Sequence, residues 1–248
     1  MTPASFARTV AWLAPLLLVA LAVWAVRSGR IEVPERWNPW APLRIDAPPN
    51  LLTRFKLDRA SDDRDACRAA LAQADMRLVP LDDRSTGEHC GFDNAVRVER
   101  TSVAVGEPFS LSCRAALSLA MWERHVLQQA AQEQLGARVR RIEHLGSYAC
   151  RNLYGEQGRR RSQHATADAI DIAAFVLDDG RKISVQADWS DADAQGDAAT
   201  AGATPRARFL QALHDGACDY FDVVLGPDYN RSHADHFHFD RGAARVCR

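Results

Sequence analysis

The chain has no excess charge of either sign: its 31 basic and 32 acidic residues leave a formal net charge of -1. That excludes the clustered basic footprint by which proteins neutralise nucleic-acid phosphates, so duplex or RNA binding is not expected. No Cys-x-x-Cys pair occurs among its six cysteines, which excludes a structural zinc knuckle and a dithiol redox motif. No charged side chain interrupts Val10 to Val26, and no Ala-x-Ala-like cleavage site follows cleanly. No Glu sits beside either of the two histidine-bearing segments described below, which excludes a neighbouring glutamate as a general base there.

What is present agrees with an oxidising destination. Cys67, Cys90, Cys113, Cys150, Cys218 and Cys247 are spread singly, and their even number predicts three disulfides. Local ordering favours Cys67 with Cys90, Cys113 with Cys150 and Cys218 with Cys247. The Ala-, Leu- and Val-rich run Val10 to Val26, with Arg8 before it and Arg27 and Arg30 after it, reads as an uncleaved signal-anchor. A cleaved signal peptide, with secretion, is the alternative. Flanking charge decides little about orientation, and the cysteines place the domain outside the cytoplasm. The expected organisation is a transmembrane segment over 1–30, a Pro-rich linker over 31–64 with Trp37 and Trp40 as interfacial anchors, and a globular domain over 65–248.

Within the domain, periodicity and turn signals predict a short helix at Cys67 to Ala74 and short strands at Val96 to Val98 and Ser102 to Val105. A longer amphipathic helix is expected from about Ser112 to Leu135, with Leu117, Met121, His125 and Gln128 on one stripe. A strand near Val139 to Tyr148 follows, then Ala169 to Leu177 and a turn at Asp178 to Gly180 leading to Ile183 to Gln186. Ser190 to Ala203 reads as a mobile acidic loop. Thr204 and Pro205 form an N-cap and first helical position for a helix to about Leu213. Strands at Tyr220 to Leu225 and His236 to Asp240 close the sheet. The expected class is α+β, an antiparallel sheet with helices packed on one side.

The most informative residues are histidines: half of the chain's eight lie in the segments Ser162 to Asp171 and His233 to Asp240. In a strand, His236 and His238 share one face while Phe237 and Phe239 share the other. Asp171 occupies the corresponding face of the strand Ala169 to Leu177, with Ile170 and Ile172 opposite, and His164 lies on the loop entering that strand. A catalytic zinc site takes three protein ligands and leaves a fourth position open. His164, Asp171 and one of the two strand histidines supply such a set, and the remaining histidine becomes a candidate base.

These residues resemble the extensin-like C-terminal domain family, which is bacterial despite its name, and through it the zinc D-alanyl-D-alanine carboxypeptidases and murein endopeptidases. The family pattern Ser-x-His-x-x-Gly-x-Ala-x-Asp is matched by Ser162, His164, Ala169 and Asp171, and His-x-x-His-x-His by His233, His236 and His238. Looser likeness runs from Cys67 to the C-terminus and includes Gly146 to Arg151 and Leu225 to Asn230. The resemblance implies a zinc D,D-peptidase-like fold, with Zn2+ held by His164, Asp171 and His238. It implies His236 as catalytic base, His233 as its supporting neighbour, and Arg151 as the group that binds the substrate carbonyl and its developing oxyanion. One departure stands out: Ala167 occupies the motif's glycine position, where a positive φ would strain it.

The function expected on these grounds is zinc-dependent cleavage of peptide bonds in peptidoglycan stem peptides or cross-links. The enzyme would be anchored in the inner membrane with its domain in the periplasm. A non-catalytic cell-wall binding or scaffold module on the same fold is the alternative, favoured by Ala167.

Overall fold

The computed structural model describes residues 28–189 and 203–248, together with residues 15, 17–18, 20–21 and 24–26. It divides into two compact units, Met1–Ala41 and Pro42–Arg248. The apolar run Val10 to Val26 lies largely outside the described residues, and among the described residues no helix is long and apolar enough to cross a membrane. The expected acidic loop, Ser190 to Ala203, lies outside them except for Ala203. In the first unit the described residues include one 3-10 turn, Glu35–Trp37, which starts after Pro34.

The second unit opens with two helices, α1 (Thr53–Ser61) and α2 (Arg64–Leu71), the latter capped by the Asp63 carboxylate accepting from Ala66 N–H. Leu43, Ile45, Leu57 and Ala60 are all buried in the main core. Part of the stretch read from sequence as linker therefore packs as core: Leu43 and Ile45 lie between Pro42 and Pro48, and Leu57 and Ala60 follow on α1.

Six short strands follow: β1 (Arg77–Pro80), β2 (Arg84–Gly87), β3 (Cys90–Phe92), β4 (Ala95–Arg100), β5 (Ala104–Val105) and β6 (Phe109–Ser112). Strands β1, β4 and β6 make a three-stranded sheet, and β2 and β3 a two-stranded one. The long helix expected after Ser112 forms in three parts: α3 (Cys113–Trp122), a π-helical turn (Glu123–Leu127) and α4 (Gln128–Leu135). Ser112 caps it by accepting from Ala115 N–H, and Gly136 ends it in the left-handed conformation. On the expected stripe Leu117 and Met121 are fully buried, and His125 Nε2 lies 2.8 Å from the Ile45 carbonyl, a packing role.

The remaining elements are β7 (Val139–Gly146), β8 (Ala169–Leu177), β9 (Lys182–Ser184), α5 (Val185–Asp188), α6 (Pro205–Ala217), β10 (Val223–Leu225), β11 (Phe237–Asp240) and β12 (Val246–Cys247). Thr204 caps α6 with Pro205 in its first turn, and the helix continues four residues past Leu213 to Ala217. The main sheet has seven strands in the order β12-β10-β11-β8-β7-β5, with β9 also pairing β8. Its centre is antiparallel, but β10 with β12 and β5 with β7 are parallel, so the sheet is mixed at its edges. The fold is α+β, as composition and pattern predict. Helices α3 and α6 pack on the sheet through Trp122 against Phe175 and Phe239, and Phe209 against Phe175.

Strand β8 departs from simple alternation. Its pairing with β7 shifts register so that Ile172 and Ala174 face His144 and Glu143, leaving Ala173 as the extra residue. Past this bulge the phase reverses, and Phe175 and Leu177 join Ile170 and Ile172 in the core. Only the first half of β8 thus presents Asp171 away from the core. Three disulfides form: Cys67–Cys113, Cys90–Cys150 and Cys218–Cys247. The last pair is the one local ordering favours; the first two exchange partners because α2 packs on α3 and β3 lies beside the loop after β7.

Candidate metal centre

Three elements bring the site together. His238 on β11 pairs directly with Asp171 on β8, so the two side chains leave the sheet on the same side. Across the strand, Phe237 and Phe239 are fully buried, and their burial fixes which face His238 must take. His164 comes from a 3-10 turn, Gln163–Thr166, whose start is capped by Ser162 Oγ accepting from His164 N–H at 3.3 Å. The turn ends at Ala167, with φ 56° and ψ 28°, in the left-handed region that the motif's glycine would occupy without strain. Its methyl group is buried in a small cluster with Phe92 and Ala95, against which Tyr148 packs. Ser112 N–H donates to the Ala167 carbonyl at 2.7 Å, tying the turn to the start of α3.

The three donors converge. His164 Nε2 is 3.2 Å from Asp171 Oδ2 and 3.2 Å from His238 Nδ1, and His238 Nδ1 is 2.9 Å from Asp171 Oδ1. All three residues are buried. Zinc bonds of about 2.0–2.1 Å in a tetrahedron separate neighbouring donors by roughly 3.3 Å, so this set fits a zinc ion of that geometry. The far nitrogens carry the protons that orient the rings. The Ser147 carbonyl accepts from His164 Nδ1–H at 3.2 Å, and Asp240 Oδ2 accepts from His238 Nε2–H at 2.9 Å. Asp240 is itself held by Gly242 N–H at 2.7 Å.

Electrostatics agree with a cation position. Burial disfavours ionised Asp171, but the two imidazoles against it, His164 and His238, outweigh this and hold the carboxyl well below the usual range. Burial likewise disfavours charge on His238, yet Asp171 and Asp240 push its pKa up to about 9. A divalent cation between the three donors would meet the same carboxylate charge.

Two further imidazoles flank this set. His236 Nε2 is 3.6 Å from Asp171 Oδ1, while its Nδ1 is 2.7 Å from Asp235 Oδ1, which accepts the proton there and leaves Nε2 bare toward the cleft. His233 Nδ1–H donates to Asn230 Oδ1 at 2.8 Å. Burial, with the nearby His238 and His236, lowers the His233 pKa to about 4, so this ring stays neutral at pH 7. Arg151 lines the same cleft, which has a volume of about 330 Å³ and also includes Leu153, Tyr154, Arg160 and Tyr229. All six residues singled out from the sequence therefore meet in one cleft.

Sequence reasoning missed Asp240, although it is two residues beyond His238 and alternation puts it on the same face. It also missed Asn230 and the Asp168 buttress, in which Arg114 donates to both carboxylate oxygens at 2.6 Å and Ser112 and Thr166 add hydroxyls. No local signal points to Arg114, which is far away in the chain. A larger concavity of about 900 Å³ is lined in part by Asp168, but its Arg64 and Arg114 are already paired with Asp83, Asp93 and Asp168. Another group of metal-type donors among the described residues, His214, Cys218 and Cys247, has its sulfurs joined in a disulfide.

Neither the curated proteins nor the solved structures yield a match to this chain. The family model described as extensin-like protein C-terminus matches residues 65–248, which holds every residue of the centre just described. With the motif residues gathered at one cleft and the family model covering most of its length, the chain belongs to the extensin-like protein C-terminus family.

Proposed function

We propose that the chain is a zinc-dependent peptidase that hydrolyses amide bonds in the peptide part of peptidoglycan. The observation that carries this reading is the buried convergence of His164, Asp171 and His238 beside a fourth imidazole whose free nitrogen faces the same space. A scaffold has no need of an oriented base next to a cation position.

Zinc held by these three residues supplies Lewis-acid activation of water and of the amide carbonyl. His236 accepts the proton of the attacking water at Nε2, because Asp235 holds the other nitrogen protonated, and returns it to the leaving amine. His233 stays neutral beside it, 5.3 Å between ring centroids, and lets His236 take a proton without a second charge next door. Arg151 binds the scissile carbonyl and the negative charge that develops on it. The substrate class rests on the resemblance of the Ser162–Asp171 and His233–His238 motifs to those of the zinc D-alanyl-D-alanine carboxypeptidases and murein endopeptidases. An extracytoplasmic, membrane-anchored location agrees with three disulfides and with the apolar run Val10 to Val26.

The test is digestion of purified sacculi with the full chain purified without chelator. New amino groups and an altered muropeptide profile are expected from the wild type and not from His236→Ala. A wild type that holds zinc and leaves every muropeptide intact would overturn the proposal in favour of a binding module.

A further inference from the structure

Arg159, Arg160 and Arg161 are consecutive, yet their guanidinium groups have different fates. Arg159 pairs with Glu156 at 2.9 Å. Arg161 donates to the Glu88 carbonyl and to Asn152 Oδ1, each at 3.0 Å. Arg160 has no hydrogen-bond or ion-pair partner for its side chain among the described residues, and it lines the cleft of the metal centre.

The backbone explains the difference. Asn152 and Arg161 form an isolated antiparallel bridge, with Leu153 N–H donating to the Arg160 carbonyl and Ser162 N–H to the Arg151 carbonyl. Alternation on this ribbon gives one face to Asn152 and Arg161 and the other to Arg151, Leu153, Arg160 and Ser162. The second face is the cleft face, since all four of its residues line the cavity. The disulfide Cys90–Cys150 anchors the ribbon next to Arg151.

Among the described residues the Arg151 side chain has no hydrogen-bond or ion-pair partner either, so two such guanidiniums share one wall of a small cleft. Like charges on one face repel, and among the described residues that line the cleft no carboxylate is free to answer them. Asp171 and Asp240 are engaged by His238, and the neighbouring Asp235 by His236. Only one of the two is needed for a scissile carbonyl. A planar fork of donors left over in a cleft matches a carboxylate, which it binds bidentately.

We propose, on the reading of this cleft as a peptidase site, that its substrate bears a free carboxylate close to the scissile amide and that Arg160 binds it. Arg160 is a specificity residue of this cleft and takes no part in bond cleavage. The carboxylate is either the C-terminal one or a side-chain one.

Three N-acetylated alanine tripeptides ending in two D-residues separate these cases: the free acid, its carboxamide, and the carboxamide with glutamate before the last residue. Binding is measured by calorimetry on the zinc-loaded full chain carrying His236→Ala, so that the peptides stay intact. One of the two acidic peptides is expected to bind about 10- to 100-fold tighter than the neutral carboxamide, as a charge-assisted pair does. Which acidic peptide is preferred identifies the source of the carboxylate. Adding Arg160→Gln should bring all three within about twofold of one another, and Arg160→Lys should keep part of the preference. Unchanged thermal midpoints will show that the variants fold. Equal binding of all three peptides, or a preference that survives Arg160→Gln, would overturn the proposal. Turnover of the preferred peptide by the chain with His236 intact tests the peptidase reading separately: selective binding without release of amine refutes that reading and leaves the carboxylate site standing.

Discussion

Asp171 on β8 and Asp240 on β11 grip the two nitrogens of one imidazole, His238, each at 2.9 Å. Asp171 shares the position open to a cation, whereas Asp240 fixes the ring from behind. Replacing Asp240 with Asn keeps the shape but weakens the acceptor that sets the tautomer. Zinc affinity should fall about 10- to 100-fold, the usual loss when such an orienting carboxylate is changed. Competition titration against a chelator measures it, and an unchanged affinity would show that His238 needs no support from Asp240.

The histidines should separate by role. His164→Ala and His238→Ala should each abolish stoichiometric zinc by elemental analysis, since each removes one of only three donors. His236→Ala should keep the metal and slow hydrolysis by about two to four orders of magnitude. Loss of zinc in His236→Ala with retention in His238→Ala would reverse the two assignments.

Mapping of disulfide-linked peptides should recover Cys67–Cys113, Cys90–Cys150 and Cys218–Cys247. Changing Cys90 and Cys150 together to Ser should cost about 2–4 kcal/mol by typical values. It should also weaken peptide binding more than zinc binding, because that bond anchors the ribbon bearing Arg151 and not the three metal donors. Equal loss of both would mean the bond supports the whole centre.

The site was legible because alternation and burial act locally. His236 and His238 bracket Phe237, and a strand with a buried Phe face can present them in only one direction. The same rule applied two residues further finds Asp240. Long-range features were not legible: Arg114 reaches Asp168 from another element, and the exchange of the first two disulfides depends on how α2 meets α3. The bulge at Ala173 is invisible in a run of small and apolar residues that tolerates either face. Helix α1 was hidden by the prolines before it, although Leu57 and Ala60 are core residues.

Ala167 offers a direct test of the departure from the motif. A non-glycine residue in the left-handed region costs about 1–2 kcal/mol, and burying a methyl group returns about 0.8 kcal/mol. Ala167→Gly should therefore change unfolding stability by no more than about 1 kcal/mol and leave zinc binding intact. Ala167→Val, β-branched in a left-handed position and pressed toward Phe92, should destabilise strongly and loosen zinc through His164. Urea unfolding with and without zinc decides between these outcomes and an Ala167 that packs so well that glycine is costly.

Glu123 starts the π-helical turn with its carboxyl buried, accepting at Oε2 from Ser102 N–H at 2.9 Å and from the Ser102 hydroxyl. Burial pushes its pKa up to about 7 against the opposing pull of those hydrogen bonds. The folded chain thus binds this proton more tightly than the unfolded chain, whose carboxyl titrates near 4.5. The stability this gives is complete below pH 4.5, declines as pH rises, and is gone above about pH 7. A shift of that size is on the order of 3 kcal/mol. Glu123→Gln cannot ionise, so its stability relative to wild type should improve steadily between about pH 5 and pH 7.5 and then level off. Urea unfolding of both proteins across that range isolates the residue, since the other titrating groups cancel in the difference. A difference that does not vary with pH would mean that Glu123 is ionised in the folded protein throughout, its buried charge met by Ser102, Thr101 and Arg100.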